Sequence, residues 1–438
     1  MCGVYFSTQN ESAGSDNKFL IRGPDLFNQK KINDFCFEHS LLGLTGEFTP
    51  QPISKNKVHL MFNGQIYNYD ANKYSSDSYF ILDEYILNDE KFFKNLDGEY
   101  AVVIYDQNKQ IVIFLTDIFG TKPLFYSCDD DSLSVSSLKS SLETNNNFNI
   151  VKCTPNTIYK YDLQSKKLTK VEEYFKFNTD QYKESFDDWN DLFIKSVSKR
   201  FSNLKHDIVL PLSSGHDSGA IACAFDLLNI NYFTYSIFNN EHKKILLRRL
   251  LKRFMIAPYK TRFKNKLSKE QKKINQSHLD FNSDNFYYGP DIDNLKIDGK
   301  KDPGAIGLSH VLRETSKLCE NLKIVASGQG GDEIYSNNQD YSFGKPNPYK
   351  FPDDLEIVFP WENFYHGAQM SYLSKEESIG GSYGLETRYP FLDKYLVQEY
   401  LNLSPELKNQ TYKSPITNFL NIHKYPYREG SEKIGFNP

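Results

Sequence analysis

The stretch Asp207-Ile208-Val209-Leu210-Pro211-Leu212-Ser213-Ser214-Gly215-His216-Asp217-Ser218-Gly219 reads as a short apolar strand running into a turn of small residues, with Ala220 to Leu228 as the helix that follows. A strand, a tight turn and a helix N-terminus stack backbone N–H groups towards one point, and that makes an anion site. The spacing GxxxxGK[ST] is absent, so this is not a Walker loop. A second strand runs into a small-residue loop at Ile324-Val325-Ala326-Ser327-Gly328-Gln329-Gly330-Gly331-Asp332-Glu333. Helical segments, beginning with Phe186 to Phe201, alternate with these buried strands, which predicts a parallel sheet covered by helices.

Working back towards residue 1, the texture changes near residue 180. Up to about residue 175 there are short strand-like runs, Val58 to Phe62, Glu99 to Tyr105, Gln110 to Leu115 and Asn156 to Tyr161, separated by Asn, Asp and Gly turns. A chain of 438 residues is long for one hydrophobic core, so two domains are expected, 2–178 and 180–438. The 52 Lys+Arg nearly balance 56 Asp+Glu, which disfavours a global polyanion binder. No apolar run approaches the roughly 18 residues that a membrane span needs, and residues 1 to 20 lack an apolar secretory core. The six cysteines form no CxxC pair and no zinc spacing, so the compartment reads as reducing cytosol. Residues 279–304 and 336–360, rich in Asp, Asn, Gly and Pro, read as long surface loops. Between Glu241 and Asn275 there are 13 Lys+Arg against two acids, a run whose usual form is a solvated helix face.

Cys2 follows the initiator Met, and removal of Met1 would place a thiol beside a free amine. With a reference pKa near 8, that amine can act as the thiol's own general base. Further along come Arg22-Gly23-Pro24-Asp25, Asn63-Gly64-Gln65-Ile66-Tyr67-Asn68, Ser76-Asp77, Leu96-Asp97-Gly98-Glu99-Tyr100 and Asp117-Ile118-Phe119-Gly120-Thr121-Lys122-Pro123-Leu124. An Asn-Gly pair after a strand can aim a side-chain amide and a backbone N–H at one developing oxyanion.

These segments, in this order, resemble the class II glutamine amidotransferase domain of the asparagine synthetases. The resemblance implies an αββα sandwich of the N-terminal-nucleophile type, with Cys2 attacking the side-chain amide of glutamine, Asn63 and Gly64 forming the oxyanion hole, and Gln65 and Asp77 contributing to the glutamine site. The loop Ser213-Ser214-Gly215-His216-Asp217-Ser218 resembles the SGGxDS loop of ATP pyrophosphatases, and Ser327 to Glu333 resembles the SGEGxDE segment of asparagine synthetases. Gly384-Leu385-Glu386-Thr387-Arg388-Tyr389-Pro390-Phe391-Leu392-Asp393 is close to GxExRxPFLD, and Lys413 falls where the family carries a catalytic lysine. The resemblance thus implies an α/β ATP pyrophosphatase domain, with ATP held by Ser213, Ser214, Gly215, Asp217 and Ser218, and adenosine lined by Leu212, Ile237, Ser327 and Gly328. Asp217 and Asp332, from different strand ends, would bracket Mg2+ on the triphosphate, since magnesium takes one or two carboxylates plus phosphate oxygens. The reaction implied is adenylation of a carboxylate, followed by displacement of AMP by ammonia. The expected partners are glutamine, ATP and aspartate or another carboxylic acid; nucleic acid and membrane are not expected, and the oligomeric state, a homodimer included, stays open.

Three departures stand out. No arginine occurs between Arg22 and Arg200, so the fork expected to hold glutamine's α-carboxylate is missing, and Leu41 or Thr45 cannot replace it. Arg22, Lys55, Lys57 or a main-chain nest are the substitutes to consider. The glutamate that follows Asn-Gly in the family is Gln65, and the glutamate of SGEG, read as the base for the attacking amine, is Gln329. An amide is no base near neutral pH, which leaves Glu333, His216 or water. The alternative is therefore a glutamine-independent amide ligase or cyclase acting on a peptide or small natural product, in which the first domain is scaffold.

Overall fold

Ala101–Tyr105 and Ile111–Leu115 are too apolar for strands with one wet face, and their packing explains why. In Gly98–Asp106, the side chains of Tyr100, Val102 and Ile104 join one core, while Ala101, Val103 and Tyr105 join another. The neighbouring strand Ile111–Thr116 divides the same way, Ile111, Ile113 and Leu115 against Val112 and Phe114. A period of two with both faces dry gives a continuous apolar run. The chain is described here from a computed structural model for residues 1–9, 12, 17–143, 149–239, 241–278, 302–337 and 350–428.

Those strands belong to a six-stranded antiparallel sheet in the order Lys167–Glu172, Thr157–Asp162, Ile111–Thr116, Gly98–Asp106, Val58–Ile66, Ile53–Lys55. A second antiparallel sheet runs Ile150–Lys152, Phe125–Cys128, Leu133–Ser136, Gly3–Ser7, Phe35–Leu41, Leu26–Ile32. Val4, Phe6 and Phe37 of this sheet meet Met61, Val103 and Phe114 of the first in the core between them. Helix Asp77–Asn88 covers the far face of the first sheet through Ile81, Leu82 and Tyr85, and Phe19 of helix Asn17–Arg22 packs on the far face of the second beside Tyr5 and Cys36. The layers therefore run helix, sheet, sheet, helix. This compact unit comprises Met1–Lys176 together with Gly381–Leu385.

The other unit begins at Phe177 and is built on a five-stranded sheet, all parallel, in the order Thr261–Lys264, Phe233–Ile237, Asp207–Pro211, Leu322–Ala326, Glu386–Arg388. The first strand in sequence lies in the middle. The chain builds outward on one side, then returns to build on the other, so the sheet has a switch point between Asp207–Pro211 and Leu322–Ala326, where the loops at the carboxyl ends diverge and leave a crevice. Both small-residue loops leave from these two strands. Helix Asp187–Phe201 forms close to its expected span, but the helix after the first loop is His216–Leu227 and starts four residues earlier than the sequence reading placed it. With Gly215 extended as its cap, His216 and Asp217 lie in its first turn. The long-loop expectations at 279–304 and 336–360 fall largely outside the described residues, although Asp302 caps helix Pro303–Leu318 by accepting from Ala305 N at 2.9 Å. No helix among the described residues is long and apolar enough to cross a membrane.

The segment Pro390–Asp393 is fastened by charge. Asp393 accepts from Arg200 Nη1 at 2.9 Å, pairs with Lys199, and caps helix Lys394–Asn402 through Tyr395 N at 3.0 Å. Burial pushes its carboxyl up, but Lys199 and Arg200 outweigh burial and hold it well below the usual carboxylate range. Because the folded pKa is depressed, its contribution is full above the unfolded value of about 3.9 and is lost as pH falls below that. Asp393→Asn strands a buried guanidinium, and should destabilise the protein by about 3 kcal/mol at pH 7 in urea unfolding, with the difference from wild type shrinking on acidification towards pH 3. An equal difference at both pH values would contradict this.

Candidate active sites

In the first unit the nucleophile position is built by strand register. Gly3 and Val4 begin an interior strand, and its register against Phe35–Leu41 places Cys2 at its end, opposite Leu41 and next to Leu42. The Cys2 thiol sits in a small cluster with Leu41 and Leu42, with Leu26 and Leu44 packed against it, and Leu42 N points at Cys2 Sγ from 3.4 Å. Cys2 N donates to Asn63 Oδ1 at 3.0 Å, and Arg22 Nε donates to Cys2 O at 3.0 Å. Asn63 is fully buried, yet its Nδ2 has no partner. A buried amide N–H left open is costly unless something arrives to accept from it. Gly64 stands at φ +136°, and a Cβ there would lie 2.0 Å from Glu99 O, so only glycine lets this strand cross its neighbour here.

Asp77 is drawn into a local chain. Its Oδ2 accepts from Ile66 N at 3.1 Å and from Gln65 Nε2 at 3.2 Å, while Gln65 Oε1 accepts from Thr45 Oγ1. A glutamate at 65 would repel Asp77; the amide donates to it instead. Of the cations considered for the missing fork, Arg22 is buried against Cys2 O and Met1 Sδ, and Lys55 pairs with Asp83 at 2.7 Å. The wall at Leu41 and Leu42 is apolar.

In the second unit the two switch-point loops converge. Lys413 Nζ lies 2.7 and 2.6 Å from the two carboxylate oxygens of Asp217 and 2.8 Å from Asp332 Oδ1. Tyr412 OH donates to Asp332 Oδ1 at 2.9 Å. The Lys413 side chain is 2% exposed, whereas those of Asp217 and Asp332 are 19% and 18% exposed. Burial alone would discharge the lysine, but Asp217 and Asp332 hold its ammonium well above the usual range. It is therefore no solvated surface amine. The loops touch closely: a Cβ on Gly331 would lie 2.3 Å from Asp217 Oδ1, and one on Gly328 would lie 2.8 Å from Asp217 Cβ.

The Ser213–Ser218 loop is held from behind. Ser213 N donates to Ser218 Oγ at 3.1 Å, and Gly215 N donates to Ser213 Oγ at 3.0 Å. Ser214 donates through both N, at 2.7 Å, and Oγ to Glu241 Oε2. Arg249, fully buried, donates from Nη1 to Ser213 O at 2.6 Å and to Gly215 O at 2.8 Å. Leu212 and Ile237, both buried, end adjacent strands, and Ser236 Oγ ties them by donating to Leu212 O at 2.7 Å. Across the crevice, Ser327 Oγ donates to Glu376 Oε2 at 2.5 Å and accepts from Gln329 N at 3.0 Å.

The sequence reading missed Glu241, Arg249, Tyr412 and Glu376. Arg249 and Arg253 were counted within a solvated basic run, yet both are buried; spacing marked them, since they share the buried stripe of helix Lys243–Ile256 with Ile245, Leu246 and Leu250. Two of the bases considered fare poorly. Burial, with Lys413 and Arg249, lowers His216 to about 3, and Glu333 is engaged by Gly330 N at 3.1 Å. For magnesium the donor set fits in kind, two carboxylates aimed at one point from opposed loops, and among the described residues they form a pair rather than a cage of three.

Residues 1–184 match the family described as a glutamine amidotransferase domain. Over 414 residues the chain is 25% identical to a putative glutamine-hydrolysing asparagine synthetase of Methanocaldococcus jannaschii, covering 87% of this chain and 71% of the relative. It is 24% identical over 433 residues to an asparagine synthetase domain-containing protein of Saccharomyces cerevisiae, covering 86% and 78%. The glutamine-hydrolysing asparagine synthetase of Mesocricetus auratus is 25% identical over 459 residues, covering 93% and 78%.

Gly331→Ala should destabilise the second unit by about 2 kcal/mol, because Asp217 is pinned by Lys413 and cannot yield to the new methyl. Urea unfolding checks this; a change within about 0.5 kcal/mol would show that the loops are not in contact.

Proposed function

We propose, for a chain that belongs to the family of the glutamine-hydrolysing asparagine synthetases, that it forms an amide bond at the expense of ATP through an acyl-adenylate. The observation that carries this reading is the convergence of Asp217, Asp332 and Lys413 at the switch point of a parallel sheet. The first turn of helix His216–Leu227, which opens at the end of the Ser213–Ser218 loop, offers N–H donors to phosphate, and Leu212, Ile237, Ser327 and Gly328 line the adenosine side. Asp217 and Asp332 would hold magnesium on the phosphates, where the ion neutralises charge on the leaving pyrophosphate. Lys413 is a point charge, and arriving phosphate oxygens would compete with the carboxylates for its protons. The substrate carboxylate attacks the α-phosphorus, pyrophosphate leaves, and an amine then displaces AMP from the acyl carbon. Aspartate is the proposed acid.

The proposed amine is ammonia released from glutamine at Cys2. With Met1 removed, the Cys2 amine stays within reach of Asn63 Oδ1 and takes the thiol proton, the thiolate attacks the amide carbon, and Asn63 Nδ2 with Gly64 N–H receives the oxyanion. The apolar wall at Leu41 and Leu42 favours a second reading, in which the first unit is scaffold and the amine comes from a peptide or small natural product. Two assays separate these. ATP–pyrophosphate exchange should depend on aspartate and fall by at least about 100-fold in Lys413→Met. Glutamate release from glutamine should vanish in Cys2→Ala while exchange persists. Amide formation that needs no glutamine and is undiminished by Cys2→Ala would favour the second reading, and exchange with no carboxylic acid would contradict both.

A further inference from the structure

The replacement of the family's glutamate by Gln329 leaves the second step without a group to take the proton from the attacking amine. Gln329 cannot do so as an amide. What the structure offers beside it is Glu376, on helix Gly367–Gly381, whose carboxylate accepts from Ser327 Oγ at 2.5 Å; the same Ser327 Oγ accepts from Gln329 N at 3.0 Å. Glu376 is partly exposed, and Gln329 Nε2 is buried without a hydrogen-bond partner. An acceptor carboxylate thus bonds the serine on which the Gln329 backbone also rests, and Gln329 carries an open amide donor in the same loop that ends strand Leu322–Ala326.

We infer that Glu376 is the general base of the amide-forming step and that Gln329 Nε2 donates to the acyl oxygen, the two dividing a task that one glutamate performs elsewhere. This rests on the adenylation reading above. As the amine nitrogen bonds to the acyl carbon, its proton passes to Glu376 Oε1 or Oε2, the acyl oxygen gathers negative charge against Gln329 Nε2, and the C–O bond to AMP then breaks with the electron pair leaving on phosphate. Adenylation itself requires no proton transfer of this kind, so the two steps should separate.

The environment suits a base at neutral pH. Burial raises Glu376 to about 7, with Glu377 and Glu333 raising it further and Ser327 and Lys375 opposing. Lys375 is itself paired with Asp302 at 3.1 Å, and Glu377 accepts from Tyr389 OH at 2.9 Å, so the charges facing Glu376 are fixed. Since a base must be ionised to act, the amide-forming rate should climb as pH rises through about 7 and level off above it.

Glu376→Gln keeps a partner for Ser327 and tests the assignment. With aspartate as probe, the variant should retain ATP–pyrophosphate exchange within about threefold, lose amide formation by about 100-fold or more, and lose the acid limb of the pH profile. Hydroxylamine, an amine already unprotonated at neutral pH, should restore much of the rate. Amide formation unchanged in the variant, with exchange intact, would overturn the assignment. Exchange missing in the wild type would instead sink the adenylation reading, and the side chain can still be judged alone: difference infrared spectra of the full chain should show a carboxyl band titrating near neutral pH that is absent in Glu376→Gln. Such a band titrating below about pH 5 would overturn the inference whatever the activity.

Discussion

Two carboxylates on facing loops repel one another unless a cation stands between them, and the second unit meets that constraint with one buried ammonium. Lys413 Nζ touches Asp217 and Asp332 within 2.8 Å, and everything around it serves to hold those three groups in register. Asp217 is placed by the first turn of a helix, Asp332 by a loop whose glycines let it press against Asp217, and Lys413 by the start of helix Ser414–Ile422. Arg249 and Glu241 fix the Ser213–Ser218 turn from behind by its carbonyls and by Ser214. Removing the lysine would leave like charges in a crevice; removing one carboxylate would leave a buried ammonium half paired.

The first unit solves a different problem. A thiol must lie beside an oxyanion site in a place dry enough for hydrogen bonds to count, and strand register supplies this without any helix end or metal. Cys2, at the start of a strand of one sheet, bonds Asn63 within strand Val58–Ile66 of the other, and Gly64 is the residue that permits the close crossing there. The Nδ2 of Asn63 is buried there with no partner. No arginine between Arg22 and Arg200 supplies a planar fork for an α-carboxylate, and Gln65 donates to Asp77.

Much of this was legible in the sequence. Apolar runs bounded by Asn, Asp and Gly gave the strands, the change of period near residue 180 gave the second unit's alternation, and the two small-residue loops gave the facing acids. The start of helix His216–Leu227 was misplaced because Ser-Gly-His-Asp-Ser is composed like a loop, although Gly caps and acidic first turns are equally helix starts. Glu376 and Arg249 stayed hidden for a plainer reason. Composition alone, in Ser-Lys-Glu-Glu-Ser or in a run of lysines and arginines, does not tell which charge turns inward; helical spacing with Ile245, Leu246 and Leu250 marks Arg249, and what lies opposite decides the rest.

The most direct test of the central claim is a crystal structure with an ATP analogue blocked at the α,β bridge, bound with Mg2+. The account requires its phosphates to lie between Ser213–Ser218 and Ser327–Asp332, with Lys413 turned from the carboxylates towards them. Phosphates bound elsewhere, with the Asp217–Lys413–Asp332 contacts unchanged, would contradict it.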